Sequence, residues 1–393
     1  MLQSASGRGP RVLHLTQPVD GGVARVVQDL VRAQIEAGWA VSVACPGGVF
    51  ATELRTLGAD VRPWNATRSP GASLLREVRE CSRVVAQVSP DLVHAHSAKA
   101  GLVGRLVVRG RVPTVFQPHA WSFEAVDGVT SVLALAWERW AARWASAVVC
   151  VSEAERTAGL RAGIDGQWHL LPNGVDPQRC RPAPTDVARA DLALLCKVVP
   201  AAPIVVCVGR LCRQKGQDLL LEAWETVVRD VPDARLVLVG DGPDRGQLRH
   251  RAPETVLFAG TVADAVIWYQ AADLVVLPSR WEGMALAPLE AMACGRPVVV
   301  TDVGGARESM PPSLARHCVV PPGSPASLAQ ALIALLLDPS LRASLGDQGR
   351  RHVLSAHDAH RTTEAVTDLY HDLTGPWPAA PAAAAQYREP IHS

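Results

Sequence analysis

The sequence predicts an α/β protein built from two similar, doubly wound parallel sheets that face a central cleft. Short β-branched runs alternate with amphipathic stretches of helix length, as in a parallel sheet with crossover helices. The pattern restarts near the middle of the chain. With 393 residues, 48% of them apolar, the chain is long enough for two hydrophobic cores. Together these observations favour two domains over one.

The strands are predicted from short apolar runs rich in valine and leucine. In the first half these runs are VLHLT (12–16), VSVAC (41–45), LVHAH (92–96), TVFQ (114–117), AVVCVS (147–152) and HLLPN (169–173). In the second half they are IVVCVG (204–209), LVLVG (236–240), VLFAG (256–260), LVVLP (274–278) and PVVVT (297–301). Ligands bind beyond the carboxyl ends of parallel strands, so we expect the loops after these runs to carry the functional residues.

The segments between and after these runs set the predicted domain boundaries. Residues 177–202 carry prolines and lack strand-like alternation, so we expect them to link a first domain at 11–176 to a second at 203–355. A last helical pattern at 356–374 is expected to pack back toward the first domain. The Pro/Ala-rich segment 375–393 has little to bury and is predicted to be disordered.

Composition narrows the classes of function and compartment. The 39 basic and 38 acidic residues leave a net charge of +1, which provides no overall field for nucleic acid or an anionic membrane. Nine cysteines, without a C-x-x-C pair, indicate reduced thiols. The N-terminus has no apolar signal-peptide core, and no apolar stretch approaches the roughly 20 residues of a membrane span. We therefore expect a cytoplasmic protein.

Two predicted loops carry groups suited to an anion. Gly21 and Gly22 precede a helical run, so unpaired N–H groups at a helix N-terminus could approach an oxyanion, although an ordinary tight turn explains the pair equally well. Arg210 and Lys215 follow the first strand of the second domain. A diphosphate leaving group gains negative charge as its bond to a sugar breaks, and cations held beside it stabilise that change. Solvated surface charge is the alternative for these two residues.

The most specific pattern is LPSRWEGMALAPLEAMACG, in which Glu282 and Glu290 lie eight residues apart. Glu282 is predicted in a loop and Glu290 in the helix that follows, where both carboxylates can accept hydrogen bonds from hydroxyl groups. They could instead be the acid and the nucleophile of a glycosidase, but that reaction leaves the two cations and the glycine loop without a role. The intervening N–H groups suited to phosphate or sugar oxygens belong to Gly283, Met284, Ala285 and Leu286.

The motifs GGVARVV, PHAW, LPNGVD, GRLCRQKG, VGDGPD and EGMALAPLEAMACGRPVVVTDVGG, in this order, resemble the retaining glycosyltransferase family called GT4. The resemblance spans residues 11–373, and the spacing from GRL to the E-x7-E pair makes it specific. It implies the GT-B fold, in which two Rossmann-like domains face a cleft. It also implies transfer of a sugar from a UDP- or GDP-sugar to a hydroxyl acceptor, without a cofactor or an essential metal.

The resemblance assigns roles to residues on both sides of the cleft. Arg210 and Lys215 would grip the donor diphosphate, and Glu290 would hold the ribose hydroxyls. Glu282 would lie by the donor sugar, with His119 reaching the reacting centre from the first domain. His119, Arg210, Lys215 and Glu282 are thus the implied catalytic set.

The remaining donor contacts come from backbone and base-binding loops. The loop at Gly21 and Gly22 would face the diphosphate, and the nucleobase would lie near Thr261 and Val262. The N–H groups of residues 283–286 would lie near the sugar and phosphates. Alanines at 285 and 120 stand where many relatives have glycine, and each adds a methyl group beside the expected sugar site.

Two other features have competing explanations. His94 and His96 share one face of their strand, but no third metal ligand is evident, so we expect a structural or acceptor-cleft role. Glycines at 240, 242 and 246 miss the dinucleotide-binding spacing, which argues against a dehydrogenase. Tryptophans at 137, 140 and 144 recur at helical spacing; core packing explains them, and so does contact with a membrane that carries a lipid-linked acceptor.

The acceptor is open between a lipid-linked glycan of bacterial exopolysaccharide or envelope synthesis and a small molecule, and peripheral membrane contact goes with the first. Two alternatives keep the same fold, a nucleotide-sugar epimerase or phosphorylase and a non-catalytic scaffold subunit. The presence of His119, Arg210, Lys215 and both glutamates argues against the scaffold.

Overall fold

A computed structural model of the chain, which describes residues 9–68, 71–196 and 198–375, contains two parallel sheets. Within these residues the first sheet has seven strands in the order β3-β2-β1-β4-β5-β6-β7, and the second has six in the order β10-β9-β8-β11-β12-β13. Both orders reverse direction beside the first strand of the sheet, which confirms the predicted doubly wound α/β class. The carboxyl ends of β1 and β8 are the switch points at which ligands bind in such sheets.

The strands coincide with the predicted runs in eleven cases. Two strands were not predicted, β3 and β13, and each lies at a sheet edge where it pairs with one neighbour. Neither has the long apolar run of a strand buried on both faces. The strands are β1 (Arg11–Thr16), β2 (Ala40–Cys45), β3 (Asp60–Pro63), β4 (Leu92–His96), β5 (Thr114–Gln117), β6 (Ala147–Cys150), β7 (Trp168–Leu170), β8 (Ile204–Val208), β9 (Arg235–Val239), β10 (Val256–Gly260), β11 (Leu274–Leu277), β12 (Val298–Thr301) and β13 (Val319–Val320).

The helices bury one apolar face against the sheets, as the inward residues of the first helix show. There Ala24, Val27, Leu30 and Val31 recur at helical spacing and are buried. The helices are α1 (Gly21–Glu36), α2 (Val49–Thr56), α3 (Leu74–Val88), α4 (Ser97–Val108), α5 (Gly128–Ala141), α6 (Glu153–Arg161), α7 (Thr185–Ala190), α8 (Gln217–Asp230), α9 (Arg245–Arg251), α10 (Val266–Ala271), α11 (Leu286–Ala293), α12 (Pro312–Cys318), α13 (Pro325–Leu337), α14 (Pro339–Ala356) and α15 (Ala359–Thr374).

The last helix crosses back to the first domain. Val366, Leu369 and Tyr370 on α15 are buried in one cluster with Val12 of β1 and Leu92 of β4. The chain reaches this position after a parallel bridge between residues 175 and 358. The predicted disordered segment, 375–393, lies outside the described residues except for its first residue.

All nine cysteines are in the described part of the chain, and none forms a disulfide there. Eight are buried and Cys196 is exposed. In the same residues, no single helix has the length and apolarity to cross a bilayer, whereas α13 and α14, bent by 103°, meet those two criteria as a pair.

Candidate active site

Two helix N-termini, one from each domain, meet at the cleft. α1 begins at Gly21, whose φ of +67° suits glycine, and the preceding Asp20 makes no side-chain cap. A Cβ placed on Gly22 would lie 3.7 Å from the side chain of Leu286, the first residue of α11. Within the described residues, the N–H groups of Gly21 and Gly22 donate no hydrogen bond. The start of α1 therefore presents free donors directly opposite the start of α11.

The loop before α11 presents a second set of free donors. No described residue accepts a hydrogen bond from the N–H groups of residues 283–286, and Ala285 at the N-cap position has no capping side chain. Gly283 is buried against the first domain, since a Cβ there would lie 3.1 Å from the carbonyl carbon of His119 and 3.2 Å from the nitrogen of Ala120. Glycine permits this approach. Met284 is buried and its carbonyl accepts a 2.7 Å hydrogen bond from Asn173 Nδ2.

Lys215 and Glu282 are brought together at the edge of this loop. Lys215 ends a 3-10 turn, Arg213–Lys215, that follows β8. Its Nζ donates to Glu282 Oε1 at 2.5 Å, and Ser279 Oγ donates to the same oxygen at 2.7 Å. An ammonium has three donors, so Lys215 can hold Glu282 and still bind an anion.

Arg210 follows β8 and lies near a second guanidinium, that of Arg68, which no sequence pattern indicated. No described carboxylate forms an ion pair with either group. Burial, together with the neighbouring Arg210, lowers the pKa of Arg68. Two unneutralised guanidinium groups repel each other, and a bound dianion would relieve that repulsion. Arg68 follows the edge strand β3, which had no strong sequence signal.

Glu290 is nine-tenths buried on α11 and is held from two sides. Tyr269 Oη donates to its Oε2 at 2.9 Å, and Arg179 Nη2 forms a short ion pair with its Oε1. Arg179 also pairs with Asp264 at 2.9 Å. Arg179 lies in the segment predicted to link the domains, and no local pattern indicates its role, because its partner is 111 residues away. The carboxylate keeps lone pairs for the hydroxyl groups of a ligand.

Thr261 and Val262 follow β10 at the edge of the second sheet. Thr261 is exposed, whereas Val262 packs partly buried against the core of the second domain. No hydrogen bond in the described residues joins either of them to Arg210, Lys215 or Glu290. Their assignment to the nucleobase stays a prediction.

The loop after β5 holds His119 in a strained conformation. His119 has φ +57° and Ala120 has φ +119°, in the region that favours glycine. Glu155 fixes the loop, since its Oε1 accepts from the Ala120 N–H at 2.6 Å and its backbone carbonyl accepts from Trp121 Nε1 at 2.7 Å. The extra methyl group expected at residue 120 is thus also a source of backbone strain.

Ala120→Gly should raise the free energy of unfolding by about 1 kcal/mol, because a non-glycine residue at positive φ costs about 1–3 kcal/mol and glycine adds chain entropy that offsets part of this. Thermal or urea unfolding measures the change. Ala125→Gly is the matched control, since Ala125 has an ordinary φ of −90° and the substitution there should destabilise. Equal destabilisation at both positions would contradict the strain at Ala120.

Three further histidines form a cluster beneath His119. His14 on β1 and the pair His94 and His96 on β4 are fully buried. One ring nitrogen of each lies within 4.8 Å of the others, which corrects the expectation that this pair has no third metal ligand: strand β1 supplies it. However, His14 Nδ1 and His96 Nε2 already share a hydrogen bond of 3.0 Å, and the three ligands include no carboxylate to offset a buried divalent charge.

Burial keeps these rings neutral. It lowers the pKa of His14 to about 4 and that of His119 to about 3. Burial, and then the neighbouring histidines, also lower the pKa of His94 and His96. Below pH 6.5 these histidines therefore bind protons in the unfolded chain but stay neutral in the folded chain. The free energy of unfolding consequently falls as pH decreases toward 4. Asp29 and Glu155, whose pKa values burial raises to about 6 and about 7, act in the opposite sense.

His94→Gln should reduce the loss of stability between pH 6.5 and 5 by up to about 1.4 kcal/mol per pH unit. The reason is that the unfolded variant has one histidine fewer to bind a proton that the folded protein does not bind. Urea unfolding at about pH 7.5, 6.5, 5.8 and 5 measures how the free energy of unfolding changes with pH. The exposed His250→Gln supplies the control. Identical slopes for the parent and His94→Gln would contradict a neutral, buried His94.

The site thus combines backbone donors that no described residue pairs, a lysine held by Glu282, and oriented carboxylates in one interdomain gap. Donors and cations suit a phosphate or diphosphate, and carboxylates suit sugar hydroxyls. Of the residues predicted from the sequence, the structure brings together Lys215 with Glu282, His119 with Gly283, and Gly22 with Leu286.

Both halves of the chain match known protein families. Residues 20–179 match the family described as Glycosyltransferase Family 4, and residues 202–338 match the family described as Glycosyl transferases group 1.

Relatives with known functions include proteins of several bacteria. A D-inositol 3-phosphate glycosyltransferase 1 of Catenulispora acidiphila is 31% identical over 67% of this chain and 68% of its own length. A GDP-mannose-dependent monoacylated alpha-(1-6)-phosphatidylinositol monomannoside mannosyltransferase of Corynebacterium glutamicum is 37% identical over 49% of this chain. A UDP-Gal:alpha-D-GlcNAc-diphosphoundecaprenol alpha-1,3-galactosyltransferase of Escherichia coli is 31% identical over 55%. The chain spans 52% and 58% of the lengths of the last two relatives.

Solved structures share the two-domain fold over nearly the whole chain. Anabaena Alr3699/HepE in complex with UDP-glucose superposes with a TM-score of 0.78 at 25% identity, covering 92% of this chain and 100% of that one. WaaG, a glycosyltransferase involved in lipopolysaccharide biosynthesis, superposes with a TM-score of 0.71 at 18% identity, covering 93% and 100%. Three findings agree: the family matches in both domains, the Catenulispora relative aligned over two thirds of both chains, and the shared fold. They show that this chain belongs to the group 1 glycosyl transferases of glycosyltransferase family 4, with the GT-B fold.

Proposed function

We propose that this chain transfers a sugar from a UDP- or GDP-sugar to a hydroxyl acceptor, with retention of the anomeric configuration. One observation carries the proposal: the N–H groups at the starts of α1 and α11, which no described residue pairs, lie on opposite sides of one gap, and Glu282 holds Lys215 at the edge of that gap. A diphosphate between them would meet donors from both domains and two cations from the second. The family to which the chain belongs supports the same activity.

The family implies same-face attack on the donor, and the charges in the gap suit that reaction. The bond between the anomeric carbon and the diphosphate oxygen breaks, and negative charge grows on the leaving group beside Arg210 and Lys215. The acceptor oxygen forms the new bond on the same face, and its proton passes to an oxygen of the departing phosphate. Glu290 would hold the ribose hydroxyls, while Glu282 and His119 would orient the sugar.

The names of the relatives support this reading of the donor and the acceptor. Two of them use GDP-mannose and UDP-galactose by their descriptions, and HepE holds UDP-glucose. Phosphatidylinositol monomannoside and a diphosphoundecaprenol are lipid-linked acceptors of those two relatives. We therefore place a lipid-linked glycan ahead of a small molecule as the acceptor of this chain.

Calorimetry with a panel of UDP- and GDP-sugars tests the donor site, and product analysis with added lipid-linked and soluble acceptors tests transfer. We expect one nucleotide to bind and an acceptor-dependent product with the anomeric configuration of the donor, read by NMR. A product formed from the donor alone would indicate an epimerase instead. Absence of binding by every nucleotide sugar, with or without acceptor, would overturn the proposal.

An exposed apolar surface on α5 supports the lipid-linked acceptor. Val129, Val132, Leu133 and Trp140 lie at helical spacing on one face and are 76%, 67%, 65% and 44% exposed. The opposite face is anchored by a buried ion pair between Glu138 and Arg105, of 2.7 Å. Exposed arginines at 139 and 143 accompany the apolar stripe. An apolar face bordered by cations is typical of a helix that lies on an anionic bilayer.

The double substitution Val132→Ser/Leu133→Ser should weaken binding to vesicles of phosphatidylglycerol and phosphatidylcholine by about 10-fold or more, because two side chains that would enter the bilayer are lost. Vesicle co-sedimentation measures the partition. Leu337→Ser is the control, since Leu337 is 63% exposed on α13 in the second domain. An unchanged partition for the double variant would contradict this surface, whatever the result of the donor test.

A further inference from the structure

A continuous chain of hydrogen bonds runs from α1 through the first sheet to His119. Gln34 Oε1 and His14 Nε2 are 2.8 Å apart, and His14 Nδ1 and His96 Nε2 are 3.0 Å apart. His96 Nδ1 and His119 Nε2 are 3.2 Å apart. Gln34, His14 and His96 are buried, whereas His119 is partly exposed at the cleft. Three groups away from the cleft are thus linked to one side chain within it.

This chain has a direction, because a neutral imidazole donates from one nitrogen and accepts at the other. Gln34 Oε1 can only accept, so His14 carries its proton on Nε2 and accepts at Nδ1. His96 must then donate from Nε2 and accept at Nδ1. His119 consequently donates from Nε2, which leaves its Nδ1 without a proton. Reversing the Gln34 amide would move every proton to the other nitrogen of its ring.

We propose that Gln34, His14 and His96 are positioning residues that hold His119 as its Nε2–H tautomer and present His119 Nδ1 as a hydrogen-bond acceptor. The inference rests on the proposed transfer reaction for its consequence, since an acceptor at His119 can orient a donor sugar hydroxyl but cannot orient an oxyanion. The α1 helix then serves the site at two points, through its N-terminal amides and through Gln34 three turns along.

The neutral state that this chain requires agrees with its surroundings. Burial lowers the pKa of all four rings, so none carries a second proton at neutral pH. The His94 ring is tilted by 31° against that of His96, with ring centroids 3.9 Å apart. His94 takes no part in the chain, because its Nδ1 bonds Tyr370 Oη at 2.5 Å. His94 therefore offers a control inside the same cluster.

Nitrogen-15 NMR of histidine-labelled protein tests the tautomer without any activity. We expect the His119 resonances, identified by their loss in His119→Gln, to show a protonated Nε2 and a bare Nδ1. Gln34→Leu should convert His119 to a mixture of tautomers, and His94→Gln should leave the Nε2–H form. A native His119 protonated on Nδ1, or one unchanged in Gln34→Leu, would overturn the proposal even if sugar transfer is demonstrated.

Kinetics and metal analysis complete the test. If transfer is demonstrated, Gln34→Leu should lower kcat by about 10- to 100-fold with little change in donor KM, since the sugar would be misoriented but the nucleotide still held. A purely structural Gln34 would alter stability and leave kcat unchanged. One equivalent of tightly bound zinc, measured in the purified protein by mass spectrometry, would overturn the chain, because a metal on His14 Nδ1 and His96 Nε2 replaces the hydrogen bond between them.

Discussion

Replacing Lys215 with alanine is expected to lower kcat/KM for sugar transfer by about 100- to 1,000-fold, the usual effect of removing one group that stabilises developing charge. Lys215 is held by Glu282 at the end of a short turn, so its position is set before a ligand arrives. Its loss removes a charge next to the leaving diphosphate and, among the described residues, leaves the partly buried Glu282 with Ser279 as its remaining hydrogen-bond partner. Initial rates with the donor and acceptor identified by the panel measure the effect.

Arg213→Ala is the matched control for that substitution. Arg213 is in the same turn, but its side chain is 65% exposed and its pair with Asp127 spans 3.4 Å. Exposed pairs of this kind contribute little, so the rate should stay within about 3-fold of the parent. Equal losses for both variants would indicate a general effect of positive charge, and an unaffected Lys215→Ala would remove Lys215 from the site.

Replacing Lys99 with methionine is expected to lower the free energy of unfolding by about 3–5 kcal/mol, because one partner of a buried ion pair is removed. Lys99 Nζ lies 2.8 Å from Glu77 Oε2, and the two side chains are 1% and 0% exposed. Glu77 Oε1 accepts further hydrogen bonds from Ser73 Oγ at 2.8 Å and from Thr67 at 3.0 Å. Without Lys99, the donors that the described residues offer to this buried carboxylate would all be neutral.

Burial opposes ionisation of Glu77, but the hydrogen bonds from Lys99, Thr67 and Ser73 outweigh it and lower the pKa to about 2. A depressed carboxyl pKa contributes stability above pH 4.5 that is lost as pH falls toward 2, so the comparison belongs at neutral pH. Urea unfolding measures the change. Arg76→Met is the control, since Arg76 is on α3 beside Glu77, is 62% exposed and lies 3.7 Å from Glu80.

The double substitution Glu77→Leu/Lys99→Met separates the lost pair from lost packing. Apolar groups of similar volume often replace a buried pair at little cost, so part of the stability should return. A double variant less stable than Lys99→Met would contradict an unpaired carboxylate as the source of the loss. Lys99 would then act through the packing of α4 rather than through its charge.

Much of the candidate site could be predicted from local patterns. Arg210 and Lys215 follow a strand that its apolar run identifies. The E-x7-E pair can be recognised because its loop and its helix are adjacent in the sequence. Arg68, Arg179 and His14 were missed for one common reason. The role of each depends on contact with a residue that is distant along the chain. A single arginine or histidine in the sequence does not indicate which residue that is.

The amino-acid sequence by itself determined the two sheets, their helices and the chemical character of the loops, because these depend on residue periodicity and on neighbours a few positions away. The tertiary structure alone decided which groups meet. His14 and His96 are 82 residues apart, Arg179 and Glu290 are 111 apart, and His94 and Tyr370 are 276 apart. Such contacts depend on strand order and on the approach of the two domains, which no local pattern encodes.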